Sequence, residues 1–91
     1  MTKMKTRVLE KIIKGFSNHR RIEMLELLEK SPELSVLQVA DRLKINFKTA
    51  SEHLRRLTLA GLISKHNVAT EVRHSLSTLG RHILKFLRTL E

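Results

Sequence analysis

The sequence predicts a mainly α fold with one small β-hairpin, in the order α-α-α-α-β-β-α. Three observations predict it. Apolar residues recur at helical spacing from residue 6 to 60 and again from 78. A three-residue break, Lys44-Ile45-Asn46, parts two of the helical runs. A run of alternating character, Glu71 to Ser77, follows soon after Gly61.

The first segment, Thr6 to Phe16, puts Val8, Leu9, Ile12, Ile13 and Phe16 on the helical period, with Gly15 weakening its end. Ser17 or Asn18 can cap a second helix that runs to about Lys30. Its apolar stripe is Ile22, Leu25 and Leu28, widened by Met24 and Leu27. Ser31-Pro32 ends it, because the residue before proline is driven out of helical geometry. A third helix starts after Ser35, which stands at capping-box spacing from Gln38. Leu37, Val39, Ala40 and Leu43 are its expected core residues. Asn46 is placed to cap a fourth helix, Phe47 to Ala60, and Gly61 to supply the left-handed residue that follows a helix. Leu62 to His66 and Glu71 to Ser77 read as strands, with residues 67–70 as the hairpin tip. In the second strand Val72, His74 and Leu76 face one way, Arg73 and Ser75 the other. The last helix, Thr78 to Leu90, carries Leu79, Ile83, Phe86, Leu87 and Leu90. Two helices joined by a tight turn and followed by a hairpin make a winged helix-turn-helix, with the helix-turn-helix at residues 35–61.

A chain of 91 residues is expected to form one domain, residues 1–91. At that size folding buries only roughly 60–65% of the unfolded surface. There is no Cys to add a disulfide, so a second subunit is the other common source of stability. The first and last helices have apolar faces too broad for so short a chain to cover. Val8, Leu9, Ile12 and Ile13, with Ile83, Phe86, Leu87 and Leu90, are therefore read as a homodimer interface. The absence of Cys, of a secretory signal and of a long apolar run fits a cytoplasmic protein with no membrane partner.

Charge points to the partner. Eighteen Lys and Arg stand against nine Asp and Glu, a formal charge of +9. The excess lies between Arg42 and Arg88, where Arg42, Lys44, Lys48, Arg55, Arg56, Lys65, Arg73, Arg81, Lys85 and Arg88 face only Glu52 and Glu71. A basic half on a small domain attracts a polyanion, of which nucleic acid is the commonest. With no Tyr or Trp and three scattered Phe, the chain lacks the aromatic platform on which single strands stack. Double-stranded DNA is the expected partner.

At 100° per residue, Ala50, Leu54 and Leu57 cluster on one side of the fourth helix, with His53 at their edge. Lys48, Ser51, Glu52, Arg55, Arg56 and Leu59 share the other side, with Thr49 on the N-terminal flank. A recognition helix needs this division: an apolar back to set its angle and a polar front to enter the major groove. Lys48, Thr49, Ser51 and Glu52 come early enough to reach base edges, whereas Arg55 and Arg56 are placed for phosphates. Glu52 can accept from a cytosine amine. The more ordinary role is to pair with Lys48 or Arg56 one turn away. Lys65 and Arg73 are the wing's basic residues.

His19, His53, His66, His74 and His82 raise a metal reading, but none has zinc-motif spacing and no Cys assists. His66 and His74 are placed to face each other across the hairpin, where packing is the simpler role. There is no Gly-rich phosphate loop, nucleophile elbow or paired-carboxylate constellation, so neither enzyme chemistry nor a cofactor is expected.

Residues 43–63, LKINFKTASEHLRRLTLAGLI, resemble the recognition segment of ArsR-type winged-helix repressors, roughly L-G-L-S-Q-x-T-V-S-R-H-L-K-x-L-x-x-A-G-L-V. Thr49, Ser51, His53, Leu54, Leu57, Ala60, Gly61 and Leu62 match that pattern. FSNHRRIEMLELL, residues 16–28, is similar to the family's L-S-D-P-x-R-x-x-I-L-x-x-L, with Arg21 on its Arg, and HSLS, residues 74–77, is similar to Y-x-L-T. The resemblance implies a homodimer joined by its first and last helices on an imperfectly twofold operator. Metal sensors of that family carry E-L-C-V-C in the third helix; here Ser35 and Leu37 stand at the thiol positions, which argues against thiolate sensing. Glu52 replaces a usual basic residue, and the wing tip lacks the usual Gly. The sequence thus predicts a dimeric transcriptional regulator, a repressor, on double-stranded DNA. The alternatives are a winged helix that binds another protein, and a nucleoid-type protein with no preferred site.

Overall fold

The computed structural model describes residues 5–91, and residues 1–4 of the expected 1–91 domain lie outside the described residues. The elements are α1 (Thr6–Phe16), α2 (His19–Lys30), α3 (Val36–Leu43), α4 (Phe47–Leu59), β1 (Ile63–Val68), β2 (Glu71–Leu76) and α5 (Thr78–Arg88). This is the winged helix-turn-helix expected.

Local chemistry sets most of the boundaries. The Asn18 side chain accepts from the Arg20 amide at 2.9 Å and starts α2. Ser35 and Gln38 form a full capping box: Ser35 Oγ accepts from the Gln38 amide at 3.2 Å, and Gln38 Oε1 from the Ser35 amide at 2.9 Å. Asn46 Oδ1 accepts from the Thr49 amide at 2.7 Å and opens α4. Gly61, at φ +78°, turns the chain out of α4 into β1.

The core lies where α2, α4 and α5 meet the hairpin. Met24, Leu25, Leu28, Val39, Ala50, Leu54, Leu57, Leu62 and Leu84 are all buried there. The Arg88 guanidinium pairs with Glu29 and ties the end of α5 to α2. At Gly15 the backbones of α1 and α4 come together so closely that an added Cβ would stand 2.3 Å from Ala60 Cβ.

Four expectations need correcting. Leu37, expected in the core, is 67% exposed. The inward stripe of α3 is instead Val36, Val39, Ala40 and Leu43, and Leu37 falls off it. Strand β1 starts at Ile63 and runs to Val68, so the tip is only Ala69-Thr70, with Ala69 held at φ +57°. The left-handed position favoured for glycine is thus filled by alanine, which hid the turn from the sequence. The register sets Lys65 opposite His74 and His66 opposite Arg73, so the two histidines do not face each other. Finally, α4 and α5 end at Leu59 and Arg88, slightly short of the expected limits.

One contact had no local signal. Leu34, before α3, pairs with His74 of β2 as an isolated antiparallel bridge, through N–H···O bonds of 3.2 and 2.8 Å. His74 Nδ1 lies a further 3.1 Å from the Leu34 carbonyl. His66 Nε2 meets Glu33 Oε1 at 2.6 Å. The base of the hairpin is thereby joined to the α2–α3 loop.

Candidate nucleic-acid interface

The turn between α3 and α4 is made by Lys44 in the left-handed region, at φ +57° and ψ +43°. The Ile45 amide then returns to the Ala40 carbonyl at 3.1 Å, and Asn46 begins the next helix. Three residues thus reverse the chain and fix the angle between the two helices. The back of α4 is dry: Ala50, Leu54 and Leu57 are 1% exposed or less. Its edge is locked by a polar contact from α2. Arg21 Nε donates to His53 Nδ1 at 3.1 Å, while Arg21 Nη1 donates to the carbonyls of Lys14 and Gly15 at the end of α1. One guanidinium therefore couples α1, α2 and α4.

For this geometry His53 must be neutral, with its proton on Nε2. Burial and the nearby Arg21 push its pKa below the ordinary value of 6.5. Burial does the same at His74, against the opposing pull of the Leu34 carbonyl.

The outer face of α4 carries the expected residues together. Lys48, Thr49, Glu52, Arg55 and Arg56 are exposed and Ser51 is half-buried. Glu52 pairs with Arg56, as expected, and also with Arg55. Its carboxylate receives Arg55 through two bonds, Nε at 3.0 Å and Nη2 at 2.7 Å, and Arg56 Nε at 3.1 Å. Lys48 takes no part in this set of bonds. The hydrogen bond from Arg55, reinforced by both positive charges, holds the Glu52 pKa down to about 2. The carboxylate is therefore ionised at any working pH.

The wing residues are not brought together. Residues paired directly across an antiparallel ladder share a face. Lys65 therefore lies on the His74 face of the ribbon and Arg73 on the His66 face. Arg73 is partly neutralised by Glu71 at 3.3 Å. Sequence reasoning also missed Phe47, which opens α4 with its ring 54% exposed beside Lys48. Periodicity gives no signal at the first position of a helix, where no preceding turn covers the side chain.

The sequence pattern of the bacterial regulatory proteins of the arsR family matches residues 18–65, a span that takes in α2, the helix-turn-helix and the start of the wing. The chain belongs to that family. No curated protein matches this arsR-family chain in sequence. Solved structures resemble it over nearly its whole length. HlyU from Vibrio cholerae is 29% identical, with a TM-score of 0.79 over 96% of this chain and 97% of that one. The homodimeric winged helix-turn-helix DNA-binding domain of Mb0332 from Mycobacterium bovis has a TM-score of 0.82 at 22% identity, covering 99% of this chain and 89% of that one. NolR from Sinorhizobium fredii gives 0.82 at 22%, over 99% and 96%. Among the described residues no helix is long and apolar enough to cross a membrane, and no three His, Asp or Glu side chains gather as metal ligands.

Proposed function

We propose that this chain is a cytoplasmic, homodimeric transcriptional repressor that binds an operator on double-stranded DNA. The observation that carries the reading is α4: a helix with a dry back, a fixed entry turn and a polar, basic outer face. In a major groove, the N-terminal part of that face reads bases through Lys48, Thr49 and Ser51, and the exposed Phe47 ring is suited to a thymine methyl. Arg55 and Arg56 face the phosphates, and Glu52 restrains them from full engagement. Because Lys65 and Arg73 project from opposite faces of the wing, they suit phosphates on the two sides of an adjoining groove.

The dimer reading is supported by the faces left open on α1 and α5. Val8, Leu9, Ile13, Phe86 and Leu90 are all more than 40% exposed, and Ile12, Ile83 and Leu87 are half-buried beside them. An apolar surface of this kind on a small domain marks an interaction site. The Mycobacterium bovis domain of the same fold is a homodimer. Two copies of α4 would then enter successive major grooves about 34 Å apart, and the bound dimer would block polymerase access.

The test is an operator selection from random duplex, followed by gel-shift titrations at rising salt. An enriched inverted repeat, with half-sites one helical turn apart, is expected. Salt-sensitive binding without an enriched site would instead indicate a nucleoid-type protein, and no binding a protein-interaction module. The doubly substituted Ile13→Glu/Phe86→Glu chain should be monomeric by light scattering and lose the operator.

A further inference from the structure

Beside the close contact of Gly15 with Ala60, α1 and α4 diverge around a cleft of about 390 Å³, within the roughly 300–1,000 Å³ range of small-molecule sites. Lys11, Lys14 and Gly15 line it from α1, Arg56 and Leu59 from α4 with Ala60 just after it, and Arg21 from α2. Four of these seven residues are cations and none is acidic.

The cations are only partly satisfied. Arg21 spends Nε and Nη1 on the protein, and its Nη2 has no hydrogen bond among the described residues. Arg56 gives Nε to Glu52, and both its terminal nitrogens are likewise unbonded among the described residues. Lys14 approaches Glu10 no closer than 3.9 Å. Arg21 and Arg56 are like charges lining one cleft; burial, and after it the charge on Arg56, lower the Arg21 pKa. An anion placed between them would relieve their repulsion and take up the idle donors. The rest of the lining is apolar, and Leu59 stands 74% exposed. A backbone phosphate would use the charges and leave this apolar surface unused.

We propose that this cleft binds a small organic anion, a phosphate or carboxylate head on a short apolar body, and that its occupancy changes the DNA affinity of α4. The second clause rests on the repressor reading, and the first does not. Coupling runs through Arg56, which belongs both to the cleft and to the Glu52 cluster. A ligand that takes its terminal nitrogens redistributes charge on the DNA-facing side, and DNA must alter ligand affinity by the same factor.

The test titrates the isotopically labelled full chain with 1-naphthyl phosphate, 1-naphthol and inorganic phosphate, reading the Gly15 and Ala60 amide shifts. Saturable shifts are expected from 1-naphthyl phosphate, with a Kd at least about tenfold below that of inorganic phosphate, the least the apolar contact should contribute. 1-Naphthol should leave both amides unmoved. Lys11→Gln/Lys14→Gln should weaken 1-naphthyl phosphate about tenfold or more in a chain that still melts cooperatively. Leu59→Ser, a change at an exposed site that leaves the charges alone, should bring its Kd to that of inorganic phosphate.

Absence of saturable shifts, or undiminished affinity in both variants, overturns the site. So does a cleft that answers to duplex DNA and inorganic phosphate with no preference for the naphthyl body, since it would then belong to the DNA backbone. Adding 1-naphthyl phosphate to a gel-shift titration should move its midpoint; an unmoved midpoint overturns the coupling. A chain that binds 1-naphthyl phosphate in the cleft but no DNA would refute the repressor reading and leave the site standing.

Discussion

Replacing Glu52 by Gln isolates what the carboxylate does on the recognition helix. The change keeps the size of the side chain and an amide oxygen that can still accept one bond. It removes a charge that is present at any assay pH, because the Glu52 pKa is held down to about 2. With Lys48, Arg55 and Arg56 the α4 face now sums to three positive charges less one, or +2, and the substitution raises it to +3. Arg55 loses a two-bond clamp and Arg56 its Nε partner. Each arginine so released that gains a phosphate adds about 0.9 to the slope of log affinity against log salt. Two arginines give a steepening of about 0.9–1.8 per protomer. Because phosphates carry no sequence, random duplex should gain affinity at low salt more than the operator does, and the specificity ratio should fall. Fluorescence anisotropy on both duplexes across a salt series measures this. An unchanged slope on random duplex would refute the restraint of the two arginines by Glu52.

Three further outcomes follow from the geometry. Lys44 holds a left-handed conformation that disfavours a side chain by roughly 1–2 kcal/mol. Lys44→Gly loses part of that gain to chain entropy and should stabilise by about 0.5–1 kcal/mol in urea titration. Gly15→Ala drives a methyl to 2.3 Å from Ala60 Cβ. It should destabilise by about 1 kcal/mol or more despite alanine's better helix propensity, and Ala60→Gly in the same chain should recover most of the loss. The folded-state pKa values of His53 and His74 both lie below 6.5, so below that value the unfolded chain binds more protons than the folded one. Melting temperature should therefore hold at neutral pH and fall as pH drops below about 6.5. His74→Gln should flatten this part of the profile, and an unchanged profile would show that His74 does not couple folding to protonation.

What the sequence revealed was what local chemistry decides. Asn18, Ser35 with Gln38, and Asn46 each start a helix by a bond to an amide two or three residues on, so their spacing alone is informative. The apolar back of α4 was readable for the same reason, as three residues fall on one stripe. What stayed hidden depends on distant partners or on a conformation the residue type does not announce. Ala69 and Lys44 sit at positive φ without being glycine, and the first of these concealed where the hairpin turns. A tip of two residues instead of four shifts the pairing by two, so that Lys65 meets His74 rather than Val72, while Lys65 and Arg73 lie on opposite faces in either register. Leu37 shows the limit of apolar counting: α3 has more apolar residues than its buried stripe can take. The bridge from Leu34 to His74 spans forty residues and leaves no local trace.

The polar contacts found only in the structure also explain how a dimer of this fold could fix its half-site spacing. If α1 supplies part of the dimer interface, the angle of α4 relative to α1 sets the distance between the two recognition helices. Packing at Gly15 and Ala60 fixes where α1 and α4 touch, but a single contact leaves a rotation free. Arg21 removes that freedom, since Nη1 grips the last carbonyls of α1 while Nε holds His53 on α4. Neutral His53 is needed for this grip, because a protonated ring has no acceptor to offer and adds a charge against Arg21. The same guanidinium also lines the α1–α4 cleft. Geometry between the halves of a dimer and protonation of His53 therefore act through one side chain. That dependence is the physical reason mild acid would alter operator binding without touching a base-reading residue.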